Sequence, residues 1–273
     1  MTNSITQNAL KALLYELVTL PKPGLVDPLN QGPHPDMDVY TFVNSSLSLE
    51  EYFANAETLG RTFTKTDLTQ LFFQLRQKGI TAEQKMVTAT NGINTHKGAI
   101  FALGIFVCAE SYCTTNHTEL FTTIQKMCNG LVKHDLVQNN QLKTAGEQEF
   151  YKYGAGGARA QAEQGYPVVR DTALPFLKNS TGSFQTRLLD TLMKIATITE
   201  DSNFIKRAGS YDSIRCLHKK AAAYLTAGGY ATTEGRQKLL QLNAECLANN
   251  YSLGGCADLL IVTIFVALER GYI

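Results

Sequence analysis

The sequence predicts an all-α fold, a single domain over residues 1–273 with roughly ten to twelve helices. Apolar residues recur at helical spacing along most of the chain, no stretch alternates in the manner of a half-buried strand, and glycine or proline marks most boundaries. With 273 residues, 44% of them hydrophobic, the chain is long enough to bury a sizeable core, and no fixed-length repeat points to a solenoid.

The first helix is read over 3–20, where Ala9, Leu10, Leu13, Leu14, Leu17 and Val18 share a stripe, Ser4 or Thr6 can cap the start, and Pro21 ends it. From Leu20 to Asp38 the chain reads LPKPGLVDPLNQGPHPDMD, which holds five of the seven prolines and can be neither helix nor central strand. Helical spacing resumes over 37–60, with Asp36 or Asp38 placed to cap it, and continues over 67–78, closed by Gly79, and 81–89. Then comes 91–110, NGINTHKGAIFALGIFVCAE, where a polar turn runs into a helix with almost no polar face and Asn94 or Thr95 can cap the start. Further helices are read over 116–134, 144–165 with a glycine interruption, 171–178, 184–199, 213–227, 233–249 and 257–269.

Composition narrows the function. Lys and Arg number 25 against 24 Asp and Glu, net charge +1, with no run of either sign, which speaks against nucleic-acid and membrane-surface binding. The six cysteines form no CxxC pair and read as reduced, buried thiols. The N-terminus lacks a signal-peptide pattern and no apolar run reaches the ~18 residues of a membrane span, so a cytoplasmic protein is expected.

Five turns hold groups suited to a site. The proline-rich loop gathers Lys22, Asp27, His34, Asp36 and Asp38 in one shaped excursion, although Asp36 and Asp38 can equally be helix caps. At the start of 91–110, open first-turn N–H groups with His96 and Lys97 beside them make a seat for phosphate oxygens; the plainer reading is an ordinary capped core helix. Glu200, Asp201 and Asn203, followed by Lys206 and Arg207, suit Mg²⁺ or else a solvated cap. YSLGGCAD at 251–258 feeds the Gly254-Gly255 turn into a buried helix with Asp258 in its first turn. GAGG at 154–157 precedes Arg159 and Glu163, one helical turn apart; without GxGxxG order, a preceding strand or a P-loop lysine, a Rossmann or Walker reading is poor, and a tight turn with an Arg–Glu pair is the plainer version.

Six stretches in order, LPKPGLVD at 20–27, HPDMD at 34–38, GINTHKGAIFALG at 92–104, GARAQAEQGYP at 157–167, DSNFIKRAG at 201–209 and SLGGCADLL at 252–260, resemble the triphosphoribosyl-dephospho-CoA synthases over nearly the full chain. Ser202, Ala208 and Leu253 depart from that pattern, where threonine, glycine and proline are expected. The resemblance implies an all-α transferase that joins ATP to 3′-dephospho-CoA, releases adenine and keeps the whole triphosphate on the transferred ribose. Its product is the precursor of the citrate lyase prosthetic group, passed to an acyl carrier subunit by a separate transferase; a close relative serves malonate decarboxylase. A homo-oligomer is compatible with it.

Such a transfer needs particular groups. Breaking the bond from ribose C1′ to adenine develops oxocarbenium character, for which Asp27, Asp36, Asp38 and Asp201 are the candidate carboxylates. The attacking 2′-hydroxyl must lose a proton and the base must gain one, work for His34 or His96. Lys22, Lys97, Arg159 and Arg207 can match the triphosphate, with Pro23, Gly24, Asn94, Thr95, Gly98, Glu163, Asn203, Gly254, Gly255 and Asp258 as further substrate-binding positions. Mg²⁺ is expected on Asp36, Asp38 and Asp201 or Asn203. Two rivals remain at this point: a Mg²⁺-dependent all-α hydrolase of ADP-ribose linkages, and a non-catalytic helical module that binds CoA or a carrier protein.

Overall fold

Two stretches with almost no polar face, Lys97–Asn116 and Gly254–Glu269, become the central helices, because a helix that is apolar all round has to be enclosed. The structure, a computed structural model, describes residues 4–137 and 156–273. Among them it holds thirteen α-helices: α1 (Ile5–Val18), α2 (Val39–Ser48), α3 (Glu50–Thr62), α4 (Thr69–Ala89), α5 (Lys97–Asn116), α6 (Leu120–Met127), α7 (Gly157–Glu163), α8 (Leu174–Asn179), α9 (Phe184–Ala196), α10 (Ser202–Ala208), α11 (Ser213–Thr226), α12 (Thr233–Asn249) and α13 (Gly254–Glu269). Two π-helical turns and one 3₁₀ turn join them, and the described residues contain no strand beyond the single Asp27–Asn30 bridge. The all-α expectation is met.

Around α5 and α13 the other helices close a shell. The α3–α5 crossing is tight because Gly60 faces the Cys108 carbonyl, where a Cβ would come within 2.1 Å. α1 packs on α13, and α4 packs across the first turns of α5, with Glu83 beside Lys97 and Phe72 beside Phe101. By length and composition α5 is apolar enough to cross a membrane, contrary to the sequence reading, yet most of it is buried inside this shell. All six cysteines are free thiols; five are buried and Cys216 is exposed.

Boundaries differ from the sequence reading in instructive ways. Ser4 caps α1 in a capping box with Gln7, as one of the two candidates. The helix read over 37–60 is two helices broken at Leu49, whereas 67–78 and 81–89 fuse into one 21-residue helix through Gly79, which packs near the Tyr52 hydroxyl. The stretch 116–134 is not one helix: α5 ends at Asn116, α6 covers Leu120–Met127 and a π-helical turn begins at Lys133, while most of the stretch read over 144–165 lies outside the described residues.

Candidate active site

Several helix starts converge on one cavity of about 1530 Å³, because the turns before α5, α7, α10 and α13 all end at the same mouth. Asn94 to Gly98, Gly156 to Arg159, Glu200 to Asn203, and Ser252, Gly254 and Gly255 all line it. Along its length runs one stripe of α4, Phe72, Leu75, Arg76, Gly79, Ile80 and Glu83, which at 1.5 Å per residue spans about 16 Å.

The start of α5 differs from expectation. Neither Asn94 nor Thr95 caps it: the cap position falls on His96, which offers no side-chain cap, and the Thr95 hydroxyl turns to Ser45 Oγ at 2.6 Å. The first-turn N–H groups are therefore left without a side-chain acceptor, which favours an anion there. Lys97 Nζ lies 2.9 Å from Glu83 and is exposed. His96 is buried, its Nδ1 2.6 Å from Ser45 Oγ and its Nε2 without a partner; burial, aided by Lys22, pushes its pKa down to about 3, so the ring is neutral.

At α10 and α13 the carboxylates divide the work. Asp201 Oδ1 accepts the Asn203 and Phe204 N–H groups, capping α10, while Oδ2 accepts the Cys256 N–H at 2.8 Å and ties α13 to it. Burial raises its pKa against those three donors. Asp258 lies against α5, where a Cβ on Gly98 would stand 1.9 Å from its Oδ2 and push the carboxyl aside. Burial, then Asp201 and Glu16, hold its carboxyl well above the usual range. Asn203 Nδ2 packs similarly on Gly254.

On the loop side His34 is the titratable group that lines the cavity. Arg207 Nη2 donates to its Nδ1 at 3.1 Å, so Nε2 carries the hydrogen given to Ser252 Oγ at 3.1 Å. Burial and the Arg207 charge lower its pKa, with Asp36 opposing. Arg207 also donates to the Pro33 and Asn250 carbonyls, clamping the loop to the α12–α13 turn.

Six expected site residues are not among those lining the cavity. Lys22 is buried with its ammonium on Glu16 Oε1 at 2.5 Å and on the Glu16 carbonyl at 2.7 Å. Asp27 accepts the Lys22, Leu29 and Asn30 N–H groups and so builds the loop. Gly24, with Pro23 before it, turns against Tyr251, where a Cβ would meet the carbonyl at 2.5 Å. Asp38 caps α2 in a capping box with Thr41, and Asp36 is exposed. Asp36, Asp38 and Asp201 therefore do not meet as Mg²⁺ ligands; among the described residues no group of three or more acidic, histidine or cysteine side chains forms a metal cluster.

Arg159 and Glu163 do line the cavity but are not paired with each other. Arg159 Nε bonds Asp135 Oδ2 at 3.0 Å, beside Arg76 on Oδ1 at 2.7 Å, while Glu163 accepts the Gly130 and Val132 N–H groups. Burial raises the Asp135 carboxyl, and its bonds to Arg76, His134 and Arg159 outweigh that and lower it. Lys206, noted beside Arg207 in the sequence, also lines the cavity, as do Arg76, Lys133, Tyr166 and Glu16, which were missed. Glu16 had a signal, a charge on the buried stripe of α1 beside Leu13 and Ala12; the others had none.

The sequence model of the family described as ATP:dephospho-CoA triphosphoribosyl transferase matches residues 2–272. The chain belongs to that family. It is 46% identical over 273 residues to a "Probable 2-(5''-triphosphoribosyl)-3'-dephosphocoenzyme-A synthase" of Lactiplantibacillus plantarum, covering 98% of each chain. A protein of the same name from Citrobacter koseri is 35% identical, with 95% of this chain and 88% of that one covered. "Protein CitXG" of Leuconostoc mesenteroides subsp. cremoris is 46% identical over 98% of this chain but only 59% of its own length. No solved structure matches significantly. The six motifs that carry the resemblance to this transferase family supply most of the cavity's helix starts.

Proposed function

We propose that the protein transfers the triphosphoribosyl group of ATP to the 2′-hydroxyl of 3′-dephospho-CoA with release of adenine. The observation that carries this beyond family membership is the cavity: about 1530 Å³ exceeds the roughly 300–1,000 Å³ of a one-ligand pocket and suits two nucleotides held together. The triphosphate sits at the start of α5, which has no side-chain cap, on the side of Lys97, with Lys206 and Arg207 as further cations. Dephospho-CoA lies along the α4 stripe, its diphosphate toward Arg76, Lys133 and Arg159.

Attack then falls on the ribose C1′, not on phosphorus, and the α5 start with its cations holds the phosphates as a handle. Mg²⁺ enters as part of the MgATP substrate, held by phosphate oxygens, since of the carboxylates first considered for it Asp38 and Asp201 cap helices and Asp36 is exposed. The product serves the citrate lyase prosthetic group; malonate decarboxylase is the alternative beneficiary, and the protein acts in the cytoplasm.

Incubating purified protein with MgATP and 3′-dephospho-CoA should give adenine and 2′-(5″-triphosphoribosyl)-3′-dephospho-CoA in equal amounts by chromatography and mass spectrometry. Adenine released equally fast without dephospho-CoA would make the protein a hydrolase, and binding without any product would make it a carrier module.

A further inference from the structure

We propose that the corner of the cavity around Asp258 seats the departing adenine ring and that Asp258 carries the proton the base takes with it. This rests on the transfer reaction proposed above.

Three acids stand near one another at this corner, Glu16, Asp201 and Asp258, and all three line the cavity. Glu16 is engaged by Lys22, and Asp201 by three backbone N–H groups. Asp258 makes no side-chain hydrogen bond among the described residues, and Gly98 leaves its carboxyl room against the first turn of α5. The groups around it are the Glu16–Lys22 pair, Asp201, the Cys256 thiol and the Tyr166 hydroxyl.

The corner favours an uncharged polar ligand. The Tyr166 hydroxyl and His96 Nε2 are buried without partners, two of only three such side-chain atoms among the described residues. Buried polar groups in folded proteins are nearly always bonded, so the Tyr166 hydroxyl beside Asp258 marks a place for a ligand's own polar atom. Neither group is charged at neutral pH: burial holds His96 deprotonated and Tyr166 protonated. The cation at this corner, Lys22, is paired with Glu16, so a phosphate would go unmatched, whereas a purine brings ring nitrogens that accept and an amino group that donates.

The step balances without any further reagent. The C1′–N9 bond breaks with its electron pair on the base, and the Asp258 hydroxyl gives its proton to a purine ring nitrogen. The 2′-oxygen of dephospho-CoA bonds C1′ and its proton passes to water in the open cavity, from which Asp258 regains its own. Asp258 ends as the acid it began as, and adenine leaves neutral.

The test compares MgATP with N7-methylated ATP, whose base is already cationic and leaves without a proton. Asp258→Asn should lower kcat with ATP by about 10²–10³-fold at a nearly unchanged KM, and its loss on the methylated substrate should be at least roughly ten-fold smaller. In wild-type protein, activity with ATP should fall on the alkaline side as Asp258 ionises, and that fall should be absent with the methylated substrate. An Asp258→Asn variant with wild-type kcat, an equal loss on both substrates, or a rise in KM alone would overturn the proposal. Should the variant not fold, the wild-type pH comparison decides alone: the same alkaline fall on both substrates refutes it. Wild-type protein that releases adenine from neither substrate refutes the transferase reading instead.

Discussion

The proline-rich loop of residues 20–38 and the junction where α5, α10 and α13 begin are the two parts of the sequence richest in chemical groups, and the fold uses them in opposite ways. In the loop Lys22, Asp27 and Asp38 spend their charge on the chain itself: a buried ion pair, three backbone N–H groups and a helix cap. Its contribution to the cavity is a wall of Leu25, Val26 and Met37 with His34 in it. At the junction the balance is reversed. The start of α5 is left without a side-chain cap, Asp258 is left unbonded, and Lys97 is held only by an exposed pair with Glu83. A charge-rich loop is thus a scaffold here, and the groups open to a ligand belong to turns whose sequences, NTHKG and SLGG, look plainer.

The largest effect that can break this contrast belongs to the loop. Lys22→Met removes the cation from a buried pair and leaves Glu16 uncompensated, which costs about 3–5 kcal/mol. Chemical denaturation should show that loss, and Glu16→Leu added to it should restore most of the stability. A Lys22→Met protein of full stability with a raised KM for ATP would make the loop a ligand site after all.

Second in size is Gly98→Ala at the junction. The new Cβ would meet the Asp258 carboxyl at 1.9 Å, and the flexible side chain moves rather than the helix. The expected outcome is a small change in Tm and a fall in kcat on the order of 100-fold, since a displacement of ~1 Å is enough for that. Loss of folding without a separable kinetic defect would assign Gly98 to packing.

Much of this was legible in advance. Helix 233–249 is read from the sequence with its bounds intact, because its cap and stop are local chemistry in Thr232 and Asn250. The convergence of NTHKG, DSN and SLGG on one site was legible as a family pattern, since residues that share a cavity keep their motifs whatever their distance in the chain. What could not be read was direction. Asp27 and Asp258 are both acids beside glycine-bearing turns, and only the fold decides that one faces three N–H groups and the other a cavity. Arg76 and Lys133 were illegible for the same reason: on an amphipathic helix or turn, a charge facing a cavity has the spacing of one facing solvent.

Third, Lys97→Ala separates a phosphate ligand from a surface charge. Its pair with Glu83 is exposed and contributes little to stability, so Tm should not move. The KM for ATP should rise roughly ten-fold, the worth of one charge-assisted bond, while the KM for dephospho-CoA stays the same. Equal rises for both substrates would mean that the two nucleotides do not occupy separate ends of the cavity.

The smallest expected effect is the sharpest on the metal. Asp38→Asn removes a negative charge but keeps a side chain that caps a helix as well as aspartate does. If Asp38 were a Mg²⁺ ligand, losing the charge would shift the Mg²⁺ dependence and lower activity. With its Oδ1 engaged by the Thr41 N–H at 2.8 Å and the Thr41 hydroxyl at 2.8 Å, the carboxylate is committed to the cap, and the asparagine variant should match wild type in Tm, in kcat and in the Mg²⁺ concentration for half-maximal rate. Asp38→Ala, which loses the cap as well, should lower Tm without moving the Mg²⁺ titration. A shifted titration in the asparagine variant at constant Tm would return the metal to the loop and erase the contrast with the junction.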